Sequence, residues 1–301
     1  MHAVPLPLPK KTVLSSGCKI NFHLDILGRL PNGYHSIKSF MVPLNSPSDT
    51  LIISPGYKKG ITFACSAHEI DSTDNTLVKA YRLLAQQVKA LPDLRVELLK
   101  RVPPASGLGG GSANAAELLL FLNRWLLQNT GNNLNRKQLV HIASKIGADV
   151  PFFIFKSPAW AYGIGEQLKI SALPFECVYI VLVCPKISVN TAWAYRKWDQ
   201  INLSGSGLTS VKAQVTESSF AGFKLYNCFE TVVFATFPQL GAIKRKLLEL
   251  NAEAALMSGS GSSIFGLFRS EKQADAAICS LKKSGFSVFA EHLYAGASPR
   301  W

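Results

Sequence analysis

Four glycines fall within residues 107–111, and a long run of helix-forming residues follows them. Glycine lets backbone N–H groups come close to a ligand, and the first turn of a helix carries unpaired N–H donors at the positive end of its dipole. The pattern therefore predicts an anion site, for which phosphate is the natural ligand. It lacks the lysine of a P-loop and the G-x-G-x-x-G spacing of dinucleotide-binding folds. A plain turn or flexible linker is the alternative, but linkers rarely precede a long apolar helix.

Lys19, Asn21 and Asp149 are side chains that could act on a phosphate or a hydroxyl group. Lys19 and Asn21 alternate with apolar residues, so on a strand both would point to one face. They could bind an anion or position a hydroxyl, although an ordinary solvated strand face is the commoner explanation. Asp149 stands two residues before Pro151, which makes a helix N-cap its simplest role. The chemical alternative is a base that accepts the proton of an attacking hydroxyl in phosphoryl transfer.

The turn LPNGYH places Tyr34 and His35 side by side. The tyrosine ring could stack on a nucleobase while the histidine forms a hydrogen bond to its edge, although the end of a hairpin explains both residues equally well. Neither this pair nor the lysine–asparagine pair decides the function on its own.

The composition indicates a folded protein, because 48% of the residues are hydrophobic and only 17% are charged. The length of 301 residues suits one large or two moderate domains. We favour two domains, residues 1–157 and 158–301, with the boundary near Ser157. The six cysteines are dispersed and contain no C-x-x-C pair. Reduced thiols are therefore expected rather than a zinc site or a redox site.

The net charge of +13 favours anionic partners. The basic residues form only short pairs and triplets, however, so we expect a solvated surface and no specific nucleic acid partner. No apolar run reaches the roughly 18 residues that a membrane span requires, and the proline-rich start lacks the apolar segment of a secretory signal. These features predict a cytoplasmic protein without a membrane partner.

Helices and short strands alternate without regular βαβ spacing, which predicts an α+β fold rather than a doubly wound parallel sheet. Helical periodicity covers residues 76–91, the segment after the glycine run, and the segment that ends at Gly147, where Asn135 and Gln138 form a capping box. A further helix precedes a second glycine and serine turn, SGSGSS, which leads into an apolar strand. Residues 201–214 are predicted to form an exposed, flexible loop. Other predicted strands are LIIS, ITFAC, LRVELL, FECVYIVLVCP and FSVFAEHLY.

Six segments, spread over nearly the whole chain, resemble the GHMP kinase superfamily in order and separation. They are CKINFHLDILGRLPNGYHSI, DNTLVKA, KRVPPASGLGGGSANAA, IGADVPFF, AYGIGE and MSGSGSSIF. Within the superfamily the resemblance is greatest to the kinases of cytidine diphosphate-linked methylerythritol. It implies a two-domain α+β fold with an N-terminal nucleotide domain like ribosomal protein S5, a C-terminal ferredoxin-like domain, and an active site in the cleft between them.

The resemblance also implies an activity and a set of site residues. ATP, accompanied by Mg²⁺, would phosphorylate the 2-hydroxyl of the methylerythritol in the non-mevalonate route to isoprenoid precursors, with Lys19 and Asp149 as catalytic residues. The cytosine would lie between Tyr34 and Tyr195. The implied substrate-binding residues are Asn21, Tyr34, His35, Thr191 and Tyr195. The implied ATP-binding residues are Asn75, Lys100, Pro103, Pro104, Ala105, Ser106, Gly107, Leu108, Gly109, Gly110, Gly111, Ser112 and Ala113.

Departures from the superfamily pattern leave the metal ligands unassigned. Gly111 stands where a loop serine ligates magnesium in other members, and Ala113 stands where a second serine is common. Cys228 replaces a usual aspartate. Two alternative functions remain open from the sequence, namely another GHMP kinase acting on homoserine, mevalonate or a sugar, and a non-catalytic basic RNA-binding module. The sequence is compatible with a monomer or a homodimer.

Overall fold

The computed structural model describes residues 8–67, 70–203 and 218–295. The chain forms two compact units, and neither is a single stretch of sequence. The first unit contains Met1–Cys18, Pro47–Val102 and Gly109–Lys156, and the second contains Lys19–Ser46, Pro103–Leu108 and Ser157–Trp301. The chain passes for the last time from the first unit to the second between Lys156 and Ser157, beside the boundary expected near Ser157. The division into domains 1–157 and 158–301 stays a prediction.

In the first unit a small sheet packs one face against helices. Strand β4 (Leu94–Leu99) pairs in parallel with β3 (Ile61–Cys65) and antiparallel with the second half of β2 (His35–Pro55). Every second residue of β4, beginning with Leu94, is buried, as expected for a sheet with one covered face. The helices of this unit are α1 (Thr76–Ala85), α2 (Gly110–Thr130), α3 (Arg136–Ile146) and α4 (Val150–Phe155).

Local end signals account for the limits of these helices. The capping box of Asn135 and Gln138 and the stop at Gly147 are confirmed at the two ends of α3. Helix α1 ends at Ala85, earlier than the predicted end at residue 91. Its buried stripe stops at Leu84, and the residues of the next turn are largely exposed, so no packing stabilises a longer helix.

The second unit contains two groups of strands. Strand β1 (Thr12–Arg29) lies beside β2, and both strands also contribute residues to the first unit. β1 pairs in parallel with β9 (Phe223–Asn227), which pairs with β8 (Ser218–Phe220), while β5 (Ala159–Tyr162) pairs with β2 and β6 (Gln167–Ile170). The second group is an antiparallel sheet in the order β10 (Ala254–Met257), β11 (Ile264–Phe268), β7 (Cys177–Cys184), β12 (Ser287–Tyr294).

Helices of the second unit cover the antiparallel sheet. They are α5 (Thr191–Leu203), α6 (Phe229–Thr236), α7 (Pro238–Glu249) and α8 (Glu271–Lys283). Side chains of α6, α7 and α8 share one apolar core with β7 and β11. The predicted apolar strands β7 and β11 and the closing strand β12 are confirmed, and so is the mixed α+β class. The end of α5 takes up the first residues of the predicted loop, and residues 204–217 lie outside the described part of the chain.

All six cysteines are free thiols. Burial raises the pKa of the Cys184 thiol to about 11, and burial also raises the pKa of Cys228. Within the described residues, no three or more His, Cys, Asp or Glu side chains are grouped in a way that could hold a metal ion. Nor does any helix of residues 8–67, 70–203 and 218–295 have the length and apolar character needed to cross a membrane.

Candidate active site

The first part of the glycine-rich run, residues 103–108, folds against a second glycine turn formed by residues 258–263. The hydroxyl of Ser258 donates to the carbonyl of Gly107 over 3.0 Å, and the N–H of Ser263 donates to the carbonyl of Ser106 over 3.0 Å. Gly107 has φ +78°, and a Cβ there would lie 2.0 Å from the carbonyl oxygen of Ser258. Only glycine therefore fits at this position.

Other residues of this segment form a tight turn. The hydroxyl of Ser106 donates to the carbonyl of Pro103 over 2.6 Å. Ala105 adopts φ +48°, and its carbonyl accepts from the N–H of Val189. Leu108 is fully buried, and its carbonyl accepts from the N–H of Lys19 over 2.9 Å. Hydrogen bonds within the protein thus hold the turn at both ends.

The second part of the run forms the start of α2 in the first unit. Gly109 occupies the N-cap with φ +70°, and a Cβ at Gly110 would lie 2.8 Å from Val102 Cγ1. Gly111 is exposed, and its carbonyl accepts from the hydroxyl of Thr76 over 2.8 Å. The N–H groups of the first turn have no acceptor within the helix. Small residues thus surround unpaired donors at the positive end of a 21-residue helix, an arrangement that favours an anion. The phosphate site itself stays a prediction.

Asp149 lies at the N-terminal end of α4, in the same unit. It occupies the N-cap position but accepts no capping hydrogen bond from that helix. The turn before it is held by Lys79, whose ammonium donates to the carbonyl of Ile146 over 3.1 Å. A Cβ at Gly147 would lie 4.0 Å from Ser112 Oγ, so this turn passes beside the first turn of α2. Since the half-buried carboxylate does not cap α4, N-capping does not explain Asp149.

The expectation of a solvated strand face at Lys19 and Asn21 is wrong. Only 4% of Lys19 and 3% of Asn21 are exposed, because both faces of this part of β1 are covered. The ammonium of Lys19 donates to Asn21 Oδ1 over 2.5 Å, and the Asn21 amide donates to the hydroxyl of Ser39 over 2.7 Å. A Cβ at Gly259 would lie 3.3 Å from the Lys19 nitrogen, so the lysine points at the second glycine turn. The network thus fixes a buried cation beside residues 258–263.

Side chains of β9 and α6 bind the backbone at the start of the second glycine turn. The amide of Asn227 donates to the carbonyls of Met257 and Gly259 over 2.7 and 2.8 Å. Glu230 accepts from the N–H of Met257 over 2.9 Å and from the ammonium of Lys244 over 2.6 Å. Burial raises the pKa of Glu230, and Lys244 opposes that rise. Sequence reasoning missed Asn227 and Glu230, although the N-x-x-E spacing in NCFE was a usable signal.

The residues predicted to bind cytidine gather in the second unit. His35 stacks on Tyr195 with ring centroids 4.7 Å apart, and its Nε2 lies 2.7 Å from an oxygen of Asp199. Tyr34 is 61% exposed at the tip of the turn, and Thr191 Oγ1 lies 2.9 Å from Ser260 Oγ. The histidine thus lies against one of the two aromatic side chains expected to enclose a base, and the aromatic sandwich itself stays a prediction. Asp199, one helical turn after Tyr195, was not predicted.

Asn75 and Lys100, both predicted near ATP, lie in the first unit. The side chain of Asn75 accepts from the N–H groups of Leu77 and Val78 and so caps α1. Lys100 forms an ion pair with the buried Asp49, and its nitrogen would lie 3.3 Å from a Cβ at Gly110. Asn75 therefore lies at the start of α1 and Lys100 beside the start of α2, and their place near the purine stays a prediction.

Sequence profiles of two related domains match the chain. The profile of the GHMP kinases N terminal domain matches residues 75–157, and that of the GHMP kinases C terminal domain matches residues 201–287, together more than half of the chain. The chain belongs to the GHMP kinases. Because the GHMP kinases are ATP-dependent enzymes, this protein is a kinase, and the alternative of a non-catalytic RNA-binding module is not supported.

Individual relatives narrow the comparison within the GHMP kinases. A protein of Nitratidesulfovibrio vulgaris (strain Hildenborough) named 4-diphosphocytidyl-2-C-methyl-D-erythritol kinase is 44% identical over 285 residues, which cover 93% of this chain and 98% of that protein. A crystal structure of a 4-(cytidine 5'-diphospho)-2C-methyl-D-erythritol kinase matches with a TM-score of 0.74 at 28% identity, over 95% of this chain and all of its own.

A more distant solved structure shares the fold alone. The homoserine kinase of Cytophaga hutchinsonii matches with a TM-score of 0.67 over 97% of this chain and 98% of its own, at 16% identity. The predicted GHMP kinase fold is therefore confirmed. The roles assigned to individual residues remain predictions.

Proposed function

We propose that this GHMP kinase transfers a phosphoryl group from ATP to the 2-hydroxyl of 4-diphosphocytidyl-2-C-methyl-D-erythritol, giving the 2-phosphate and ADP. The observation that carries the proposal is the 44% identity, over nearly full length, to a protein named for this activity. The stacked His35 and Tyr195 beside the exposed Tyr34 support it, since flat aromatic and imidazole rings suit a pyrimidine. The reaction would supply the non-mevalonate route to isoprenoid precursors.

Backbone groups would bind the triphosphate. The glycines at 109–111 leave the N–H groups at the start of α2 open, and the helix dipole favours negative charge at that end. Asn75 and Lys100 would lie near the purine. Mg²⁺ is expected to accompany ATP and to neutralise part of its charge, but the residues present assign no ligand to it. Residues 103–113 contain two hydroxyls, that of Ser106, which donates to the carbonyl of Pro103, and that of Ser112, and they contain no carboxylate.

Asp149 would act as the general base. Its carboxylate accepts the proton of the 2-hydroxyl as that oxygen attacks the terminal phosphorus of ATP, and the bond to the bridging oxygen breaks to release ADP. A lysine ammonium such as that of Lys19 can offset the negative charge that builds up on the transferred group. Lys19 is suited to this because Asn21 holds its nitrogen in one place.

The side chains of Tyr34, His35 and Tyr195 would recognise the cytidine part of the substrate. Tyr34 offers a free ring face, and His35 would read the edge of the base in an orientation fixed by Asp199. Asn21 would contact the erythritol and Thr191 the cytidine. We expect the enzyme to act in the cytoplasm as a monomer or a homodimer.

Substrate identity can be tested by direct assay. Purified protein is incubated with Mg²⁺, ATP and 4-diphosphocytidyl-2-C-methyl-D-erythritol, with mevalonate and homoserine as parallel acceptors, and ADP release is followed. Phosphorus NMR of the product would show a new phosphomonoester on a tertiary carbon oxygen. Turnover with mevalonate or homoserine alone would instead place the protein among the other GHMP kinases.

Replacement of Tyr34 tests the recognition of the base. We expect Tyr34→Ala to raise KM for the cytidine substrate about tenfold, because stacking of a base on an aromatic ring contributes about 1–3 kcal/mol. KM for ATP should stay within about twofold, as the change removes no contact predicted for ATP. Tyr57→Ala is the matched control, since Tyr57 is 93% exposed and belongs to the first unit. An unchanged KM for the cytidine substrate in Tyr34→Ala would contradict this assignment.

A further inference from the structure

Asp49 is a fully buried carboxylate in β2 that lies next to the predicted nucleotide site. Its Oδ1 accepts from the N–H groups of Arg101 and Val102, each over 2.8 Å. Its Oδ2 accepts from the ammonium of Lys100 over 2.5 Å and from the amide of Asn114 over 2.9 Å. All four donors belong to the segments on either side of residues 103–109. One carboxylate therefore holds the end of β4 and the second turn of α2 together.

Lys100 is held at both its backbone and its side chain. Its N–H donates to the hydroxyl of Ser66 over 2.9 Å, and its ammonium is bound by Asp49 with only 8% of the side chain exposed. The same ammonium would lie 3.3 Å from a Cβ at Gly110. A long lysine side chain normally samples many rotamers, and the buried ion pair with Asp49 restricts this one to the start of α2.

The charge of Lys100 is already compensated by Asp49, so the pair adds little net attraction for an anion. What the pair supplies is a donor at a defined place, together with a fixed path for the chain before the glycines. We infer that Asp49 is a positioning residue for nucleotide binding, acting through Lys100 and through the N–H groups of Arg101 and Val102. The inference rests on the proposed function in that the nucleotide is ATP.

The substitution Asp49→Asn distinguishes the effect of positioning Lys100 from the effect of the negative charge of Asp49, because the two change ATP affinity in opposite directions. The remaining carbonyl oxygen can still accept from Arg101 and Val102, but the new amide nitrogen would face two donors, those of Lys100 and Asn114. Removing a negative charge beside an anion site would by Coulomb attraction alone tighten ATP binding. Loss of positioning weakens it. We expect the dissociation constant for ATP, measured by calorimetry, to rise at least about tenfold, with KM for the cytidine substrate within about twofold.

A buried ion pair elsewhere in the same unit provides the control. Glu117 of α2 is 7% exposed and stands six residues after Gly111, and it pairs with Lys156, which is 45 residues from Gly111 in sequence. Glu117→Gln should lower the melting temperature, as Asp49→Asn should, because each change breaks a buried pair. Its affinity for ATP should stay within about twofold. A general loss of stability would move both variants alike, whereas positioning moves only Asp49→Asn.

A double-mutant cycle shows whether Asp49 acts through Lys100. In a Lys100→Met background, Asp49→Asn should change ATP affinity by less than about twofold. Full additivity of the two effects would overturn the inference. If Asp49→Asn does not fold, Lys100→Arg replaces it, since arginine keeps the charge and the pairing but moves the donor. Lys100→Arg should weaken ATP binding several-fold at an unchanged melting temperature, and unchanged affinity would also overturn the inference.

These outcomes are distinct from a failure of the proposed function. If the unmodified protein binds ATP but does not phosphorylate the cytidine substrate, the proposed substrate is wrong, while weakened ATP binding by Asp49→Asn still supports the role of Asp49. If the unmodified protein is active and Asp49→Asn binds ATP equally well or more tightly, the role of Asp49 is wrong and the proposed function stands.

Discussion

Replacement of Asp149 by asparagine should lower kcat by about 10²- to 10⁴-fold and leave the affinity for ATP within about twofold. The change replaces the proposed proton acceptor by an amide of nearly the same size and shape. Asp149 accepts no capping hydrogen bond from α4, and asparagine is as good a residue as aspartate at an N-cap position. Melting temperatures measured in parallel separate an effect on the chemical step from an effect on stability.

Single-turnover kinetics with saturating ATP and acceptor measure this effect on the chemical step. Asp93→Asn is the matched control, because Asp93 is exposed in the same unit and its carboxylate accepts from the N–H of Gly60. A kcat of Asp149→Asn equal to that of the unmodified enzyme would show that another group accepts the proton.

The second large effect is expected for Gly107→Ala. A Cβ at this position would lie 2.0 Å from the carbonyl oxygen of Ser258, so residues 103–108 or 258–263 must move. Displacement of a catalytic loop by about 1 Å can cost about 10²-fold in rate. We expect kcat/KM for ATP to fall by at least about that factor.

Gly131→Ala separates the collision from backbone strain. Gly131 ends α2 with φ +70°, close to the φ of Gly107, but a Cβ there would meet nothing within 4 Å. Both substitutions incur the cost of a left-handed alanine, about 1–2 kcal/mol. Only Gly107→Ala should lose activity, as measured by steady-state kinetics with melting temperatures determined in parallel. Equal losses in both variants would assign the effect to strain or stability rather than to the loop.

Local signals in the sequence were sufficient for much of the fold. The capping box of Asn135 and Gln138, the alternation in β4 and the apolar run of β7 each depend on neighbours a few residues away, and each is confirmed. Helix α5 was missed because its residues, TAWAYRKWDQINL, mix aromatic and polar types without a clear apolar stripe. The length of α1 was overestimated because periodicity does not show where packing ends.

The candidate site was predictable where a residue is distinctive in itself. A run of glycines indicates that the backbone comes close to another group. A buried carboxylate such as Asp49 cannot be told from a surface aspartate in the sequence, because its four hydrogen-bond donors are known only from the structure. Asp199, Asn227 and Glu230 were missed for the same reason as Asp49. Each binds residues far away in sequence, so its role is visible only in the folded structure. Lys19 was misjudged for a related reason, because alternation does not reveal that both strand faces are covered.

The hydrogen bond between Ser258 and Gly107 joins residues 151 positions apart. A chain that emerges from the ribosome in order will expose residues 103–108 long before the turn that supports them exists. That turn in turn requires Asn227, Glu230 and Lys244, so several elements of the second unit must assemble first. Contacts of such long range form late. Competence to bind ATP should therefore be gained near the end of folding, and a nascent chain that lacks its last 50 residues would remain inactive.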